Sequence, residues 1–122
     1  MEELDKMYMS LNNSKIRIGL KGIGKAVIDW GRSSNEVELK EDIIFWFKYA
    51  YEYSGIPAHE VIIYSENITF LNFRYNKIQE LDISNNVNLK RLYCDSNPMT
   101  ASNIIGLKSL DILQIDNVYI DI

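Results

Sequence analysis

Four groups of residues in this chain have side chains capable of more than packing: one histidine, one cysteine, a few neighbouring acids and a glycine-rich segment ending in lysine. His59 has no second histidine or cysteine companion that would complete a metal site, and no nucleophile and acid can be spaced around it as a triad. It is expected to be a loop residue. A single cysteine, Cys94, excludes an intrachain disulfide and is expected to be a small buried hydrophobe. Glu36 with Glu38, and Glu41 with Asp42, have the chemistry of a carboxylate dyad, but they lie on short polar stretches where acids ordinarily face water. The segment GLKGIGKA, residues 19–26, fits G-x-x-x-x-G-K. It has Ala26 where a phosphate-binding loop needs a hydroxyl for magnesium, and strand-like AVIDW follows instead of a helix. A glycine turn in a hairpin explains it better. No acid, base, nucleophile or metal set can be placed together, so neither catalysis nor a cofactor is expected.

The aromatic residues raise a different chemistry, stacking against sugars. In IIFWFKYAYEYS, Ile43, Phe45, Phe47, Tyr49, Tyr51 and Tyr53 alternate with Lys48, Glu52 and Ser54. Period-2 alternation of this length predicts a strand with its aromatic side against a core, which leaves sugar binding through Trp30, Trp46 and the tyrosine row as an alternative use. The surrounding stretch, residues 15–67, reads as β throughout. KIRIGLKG and GKAVIDWG are expected to form a hairpin around residues 22–24, GRSSN a loop, EVELK a short strand, and EVIIYS a strand returning after the turn at GIPAH.

Residues 68–122 repeat. LNFRYNKI, LYCDSNPM and LQIDNVYI begin at Leu71, Leu92 and Leu113, 21 residues apart. Phe73, Cys94 and Ile115 then fall in register, as do Asn76, Asn97 and Val118. A period of 20 to 29 residues with this leucine and asparagine spacing is the signature of a leucine-rich repeat. Leu71 and Phe73 are two apart, so a strand points both inward, and one coil must stack on the next to bury them. Leu71, Leu92 and Leu113 are therefore expected to form a column, and the asparagine amides to satisfy backbone groups where the chain leaves each strand. Leu81 and Ile83 suggest a second short strand. Residues 100–112 suggest a helical turn, with Thr100 as N-cap and Gly106 as stop.

The alternation of N-x-L-x-x-L-D-[IV]-S-x-N with L-x-C-x-x-N resembles the 21-residue repeats of bacterial surface proteins common in Bacteroides-type gut bacteria. The matching residues are Asn76, Ile78, Leu81, Asp82, Ile83, Ser84, Asn86, Leu89, Leu92, Cys94 and Asn97. The succession IDWG, YEYSG and EVIIYSENIT is similar to the small PKD-like β-sandwich that precedes repeats in such proteins, where IDWGDG and HTYS usually stand. Here Arg32 and Ser33 follow the glycine, and Tyr51 and Glu52 replace the His-Thr pair. The resemblance implies a sandwich that caps the first coil, and an extracellular or cell-surface location.

Composition sets the outer limits. The chain has 122 residues, 47% hydrophobic and 25% charged, which is ordinary for a globular protein with a core of moderate size. The net charge of −4 is spread over both halves, with no basic stripe to suggest nucleic acid and no apolar run long enough to span a membrane. The first 14 residues lack the pattern of a secretory signal, which fits either a cytoplasmic protein or one whose export signal has been removed.

The expectation is thus a mainly β protein, with a sandwich-like or cap unit at residues 8–67 and a leucine-rich solenoid of about 2.5 turns at residues 68–122. Its outward sheet face, formed by Phe70, Asn72, Arg74, Arg91, Tyr93, Asp95, Gln114 and Asp116, mixes the aromatic, arginine and amide groups found at recognition surfaces, and a protein partner is expected there. A structural cap or spacer without its own ligand is the alternative. The terminal strand, residues 113–120, would present an unpaired edge suited to self-association.

Overall fold

The computed structural model describes residues 4–51, 58–99 and 103–106, together with the backbone of residues 114 and 115. Nine strands form one open mixed sheet: β1 (Asp5–Leu11), β2 (Lys15–Asp29), β3 (Ser34–Leu39), β4 (Phe45–Ala50), β5 (His59–Asn72), β6 (Ile78–Asp82), β7 (Arg91–Tyr93), β8 (Ile104–Ile105) and β9 (Gln114–Ile115). No α-helix occurs among the described residues. The protein is mainly β, as its alternating patterns predict.

β2 is the longest strand, and it corrects one expectation. The glycines at 22 and 24 do not turn the chain; they sit inside β2, where the pairing to β5 shifts between Lys21 and Gly22 and again between Ile23 and Ala26. A Cβ on Gly22 would lie 2.1 Å from the carbonyl oxygen of Asn67, so the absent side chain lets the two backbones approach at a bulge. The turn comes later, at residues 30–33. There Gly31 has φ of 110° and its N–H donates to Asp29 Oδ1, while Trp30 N donates to the Ser33 carbonyl. β3 and β4 then run back along β2 in succession, β3 beside residues 24–29 and β4 beside residues 15–20. The phosphate-loop look-alike at residues 19–26 is therefore extended strand, with no helix start after it.

Two further findings differ from the local patterns. Met7, Met9 and Leu11 are fully buried on β1, a strand unmarked by any turn signal, which pairs with β5 and β6. His59, expected in a loop, opens β5 and is buried with its ring stacked on Tyr51 at 3.7 Å between centroids. β4 follows the expected alternation: Phe45, Phe47 and Tyr49 pack on the core, and Trp46 and Lys48 face out.

The C-terminal strands form two parallel ladders. The end of β5 pairs with β7, and β7 with β9; separately, β6 pairs with β8. On the other side, β2 lies antiparallel to β5 and β1 antiparallel to β6, so both ladders are flanked by N-terminal strands. The boundary expected at residues 67 and 68 falls within β5, and the sheet is continuous across it. Leu71 faces Leu92 and Asn72 faces Tyr93, both at the 21-residue interval.

The next pairings depart from that interval. Leu92 faces Ile115, not Leu113, and Leu81 faces Ile104, giving intervals of 23. Leu71 to Leu81 takes ten residues, whereas Leu92 to Ile104 takes twelve, so the two added residues fall between Leu92 and Ile104. An even shift keeps the same residues inward, because side chains alternate with period 2. Where a helical turn is expected over residues 100–112, Asn103 has 3-10 geometry, Ile104–Ile105 form β8 instead and Gly106 leaves that strand with φ of 93°, while Thr100 and most of the stretch lie outside the described residues.

Candidate functional site

The outward face begins with strand register. Trp46 on β4, Gly19 on β2, Asn72 on β5 and Tyr93 on β7 stand in one row across four strands. Lys21, Phe70, Arg91 and Gln114 stand in the next. Six of the expected contact residues, Phe70, Asn72, Arg74, Arg91, Tyr93 and Asp95, are thus brought together. Gln114 is placed by its backbone only, and it stands beside Arg91, where an unbroken 21-residue interval would put residue 112. Asp116 and most of the terminal strand offered for self-association lie outside the described residues.

These six do not contribute equally. Phe70, expected on the outward row, is only 7% exposed, because Lys21 Nζ sits 5.1 Å from its ring centroid and Tyr93 packs beside it at 5.2 Å. Asn72 Oδ1 accepts from the Arg74 N–H, which starts the turn after β5. Arg74 places its guanidinium 4.8 Å from the Tyr93 centroid and its Nε 2.5 Å from Asp95 Oδ1. That contact is one of charge and not of an aligned hydrogen bond, since neither atom has a partner of hydrogen-bond geometry. Arg91 remains exposed and Tyr93 half-buried, so these two are the groups most open to a partner.

The N-terminal strands extend this face in a way the repeats alone do not reveal. The Trp46 indole lies across Gly19, where a Cβ would come within 2.8 Å of the ring, and the Arg17 guanidinium sits 4.0 Å from its centroid. The Gly19 position between alternating charged residues is the sequence signal for this close approach. The other aromatics are engaged inside: Trp30 stacks on Tyr49 at 5.3 Å, and Tyr49 meets Tyr51 edge-on at 4.8 Å. Tyr51 donates its hydroxyl to the Trp30 carbonyl.

The asparagines act as the repeat predicts. Asn97 Oδ1 accepts from the N–H groups of Asn76 and Ile78, 21 and 19 residues earlier, and its Nδ2 donates toward the carbonyls of Phe73, Cys94 and Asp95. Asn76 makes the same kind of contact to β2: Oδ1 accepts from Arg17 N at 2.8 Å and Nδ2 donates to Arg17 O at 2.7 Å. Tyr75 and Ser96, each just before its asparagine, share a left-handed backbone with φ of 59° and 60°.

Cys94 is buried, and burial, with a smaller contribution from Asp95, pushes its thiol up to about 12. Tyr51 is likewise pushed up to about 12, chiefly by burial. Both groups stay protonated in the folded chain at pH values where the unfolded chain loses those protons, so stability falls as pH rises above about 9. Chemical denaturation at pH 8 and at pH 10.5 should show a lower midpoint at the higher pH. Cys94 should react with an aromatic disulfide reagent only under denaturing conditions. Rapid labelling of the native protein at pH 8 would contradict the buried thiolate-resistant site.

Among the described residues no group of three or more His, Cys, Asp or Glu is arranged to hold a metal. Glu36 is exposed and paired with Lys25 at 2.7 Å, and the other acids expected to be solvated, Glu38, Glu41 and Asp42, are exposed. The fold and this face define an open mixed β-sheet protein with an aromatic and cationic outer surface. No family model matches the chain, no curated protein is similar to it, and no solved structure matches it.

Proposed function

We propose that the chain is a non-enzymatic protein-binding module that engages its partner through the outward face of β5 and β7. The observation that carries the reading is the rigid cluster in which Phe70, Arg74 and Asp95 brace Tyr93 on a four-strand row while Arg91 stays exposed beside it. Tyrosine and arginine, fixed by their neighbours, lose little conformational freedom on binding and supply a large share of interface energy. The parallel ladders, the 21-residue interval between β5 and β7 and the asparagine contacts support a leucine-rich solenoid of the surface-protein type, with the N-terminal β unit as its cap. The flanking of the first coil by β1 and β2 also favours a second reading, in which the piece caps a longer array and has no ligand of its own. Sugar binding through the aromatic row has less support, since Tyr49 and Tyr51 are occupied by Trp30 and His59.

Cross-linking in the source cell extract separates the two readings. Wild-type protein, Tyr93→Ala with Arg91→Glu, and the control Lys90→Ala are compared by the partners they retain. A protein retained by wild type and by the control but lost with the double variant supports binding through this face. An identical set for all three removes it.

A further inference from the structure

A cleft of about 590 Å3 opens where β2 begins beside the end of β4, next to the turn that carries Tyr75. Lys15, Arg17 and Lys48 line it, together with Tyr49 and Tyr75, and among the described residues no carboxylate contributes to the lining. That concentration of positive charge occurs on a chain of net charge −4. Lys25 is paired with Glu36 and Arg74 with Asp95, whereas Lys15, Arg17 and Lys48, like Lys21 and Arg91, have no ion pair among the described residues, and these three stand side by side.

The backbone holds these charges together against their repulsion. Arg17 and Lys48 are direct partners across β2 and β4, and Lys15 lies two residues away on the same side of β2. Like charges directly opposite on a sheet destabilise it. The arrangement cannot relax by withdrawing β2, because the Asn76 amide grips both the N–H and the carbonyl of Arg17. Arg17 is also fixed by its contact with the Trp46 ring, which leaves its N–H groups unpaired with any carboxylate. Tyr75 is 73% exposed on a left-handed backbone that turns it away from the core. A volume of this size is in the range of small-molecule sites.

We propose that this cleft binds a small organic polyanion bearing two or more carboxylate or phosphate groups, whose oxygens span Lys15, Arg17 and Lys48. The inference does not rest on protein binding by the outward face of β5 and β7. A bound polyanion replaces the repulsion of three adjacent cations by charge-assisted hydrogen bonds, which are stronger than neutral ones. It also stabilises the folded state by mass action.

Citrate and pyrophosphate serve as the carboxylate and phosphate probes, titrated into the full chain at constant ionic strength and followed by calorimetry and thermal unfolding. Saturable binding by one or both, with a rise in Tm beyond that given by sodium chloride of matched ionic strength, is expected; which probe binds tells carboxylate from phosphate. Lys48→Gln and Lys15→Gln should each weaken binding by about tenfold, while Lys25→Gln leaves it unchanged. Without ligand, Lys48→Gln should raise Tm by removing the repulsion with Arg17. The proposal is overturned by a Tm rise that sodium chloride reproduces, by equal weakening in Lys25→Gln, or by binding of hexaglutamate with neither small anion bound.

Discussion

Replacing Asn97 with alanine should lower the unfolding free energy by about 3 kcal/mol, far more than a polar surface substitution. The side chain has five polar contacts between 2.9 and 3.2 Å, and all of them go to backbone groups. Two of the donors it satisfies, the N–H groups of Asn76 and Ile78, belong to the connection from β5 to β6, so the amide ties that connection to the one that follows β7. Each backbone group stranded without a partner costs roughly 1 to 3 kcal/mol, less where water can enter. Asn97 is half-buried, and water will recover part of the loss. Asn97→Asp should be no better than alanine at neutral pH, since an oxygen then faces the carbonyls of Phe73, Cys94 and Asp95 where an N–H had donated. Acidification should partly rescue that variant and leave the alanine variant unchanged. Urea denaturation of both variants at pH 7 and pH 5 is the measurement, and a loss below about 1 kcal/mol for alanine would mean that the amide is not a tie between the two connections.

The asparagines were legible in the sequence because their role is local and repeated. A residue type recurring at a fixed interval just after an inward-outward-inward strand has few structural uses, and Asn76 and Asn97 serve the one expected. β4 was legible for a similar reason, since alternation from Phe45 to Tyr51 favours a strand, although the aromatic run also suits a buried helix. What stayed hidden depends on partners distant in the chain. Gly22 reads equally well as a turn or as a bulge, and only the carbonyl of Asn67, 45 residues away in sequence, decides for the bulge. The same holds for Gly19, whose missing side chain admits Trp46 to the outer face.

The candidate face shows the division clearly. Phe70, Asn72, Arg74, Arg91, Tyr93 and Asp95 were found by aligning repeats, but the burial of Phe70 under Lys21 required the pairing of β2 with β5. The two-residue shift after Leu92 was invisible because Leu113 and Ile115 are both apolar and both suit an inward position. Local pattern cannot choose between two registers that differ by an even number of residues.

Leu71→Ala and Leu92→Ala should each destabilise the protein by about 2 to 5 kcal/mol, and the pair should couple. Both residues are fully buried and face one another across β5 and β7. They belong to a longer row, in which Phe45 faces Leu20, Leu20 faces Leu71, Leu71 faces Leu92 and Leu92 faces the Ile115 backbone. The row runs from the N-terminal strands into β7 and β9 without a break, so the core is shared. Leu20→Ala should therefore couple to Leu71→Ala as strongly as Leu92→Ala does, by about 0.5 to 3 kcal/mol in a double-mutant cycle. Independent units meeting at residues 67 and 68 would instead give additive losses for Leu20 and Leu71, together with two unfolding transitions. One transition followed both by Trp30 and Trp46 fluorescence and by far-ultraviolet circular dichroism is the expected result, because removing either leucine opens a cavity in the same packed row.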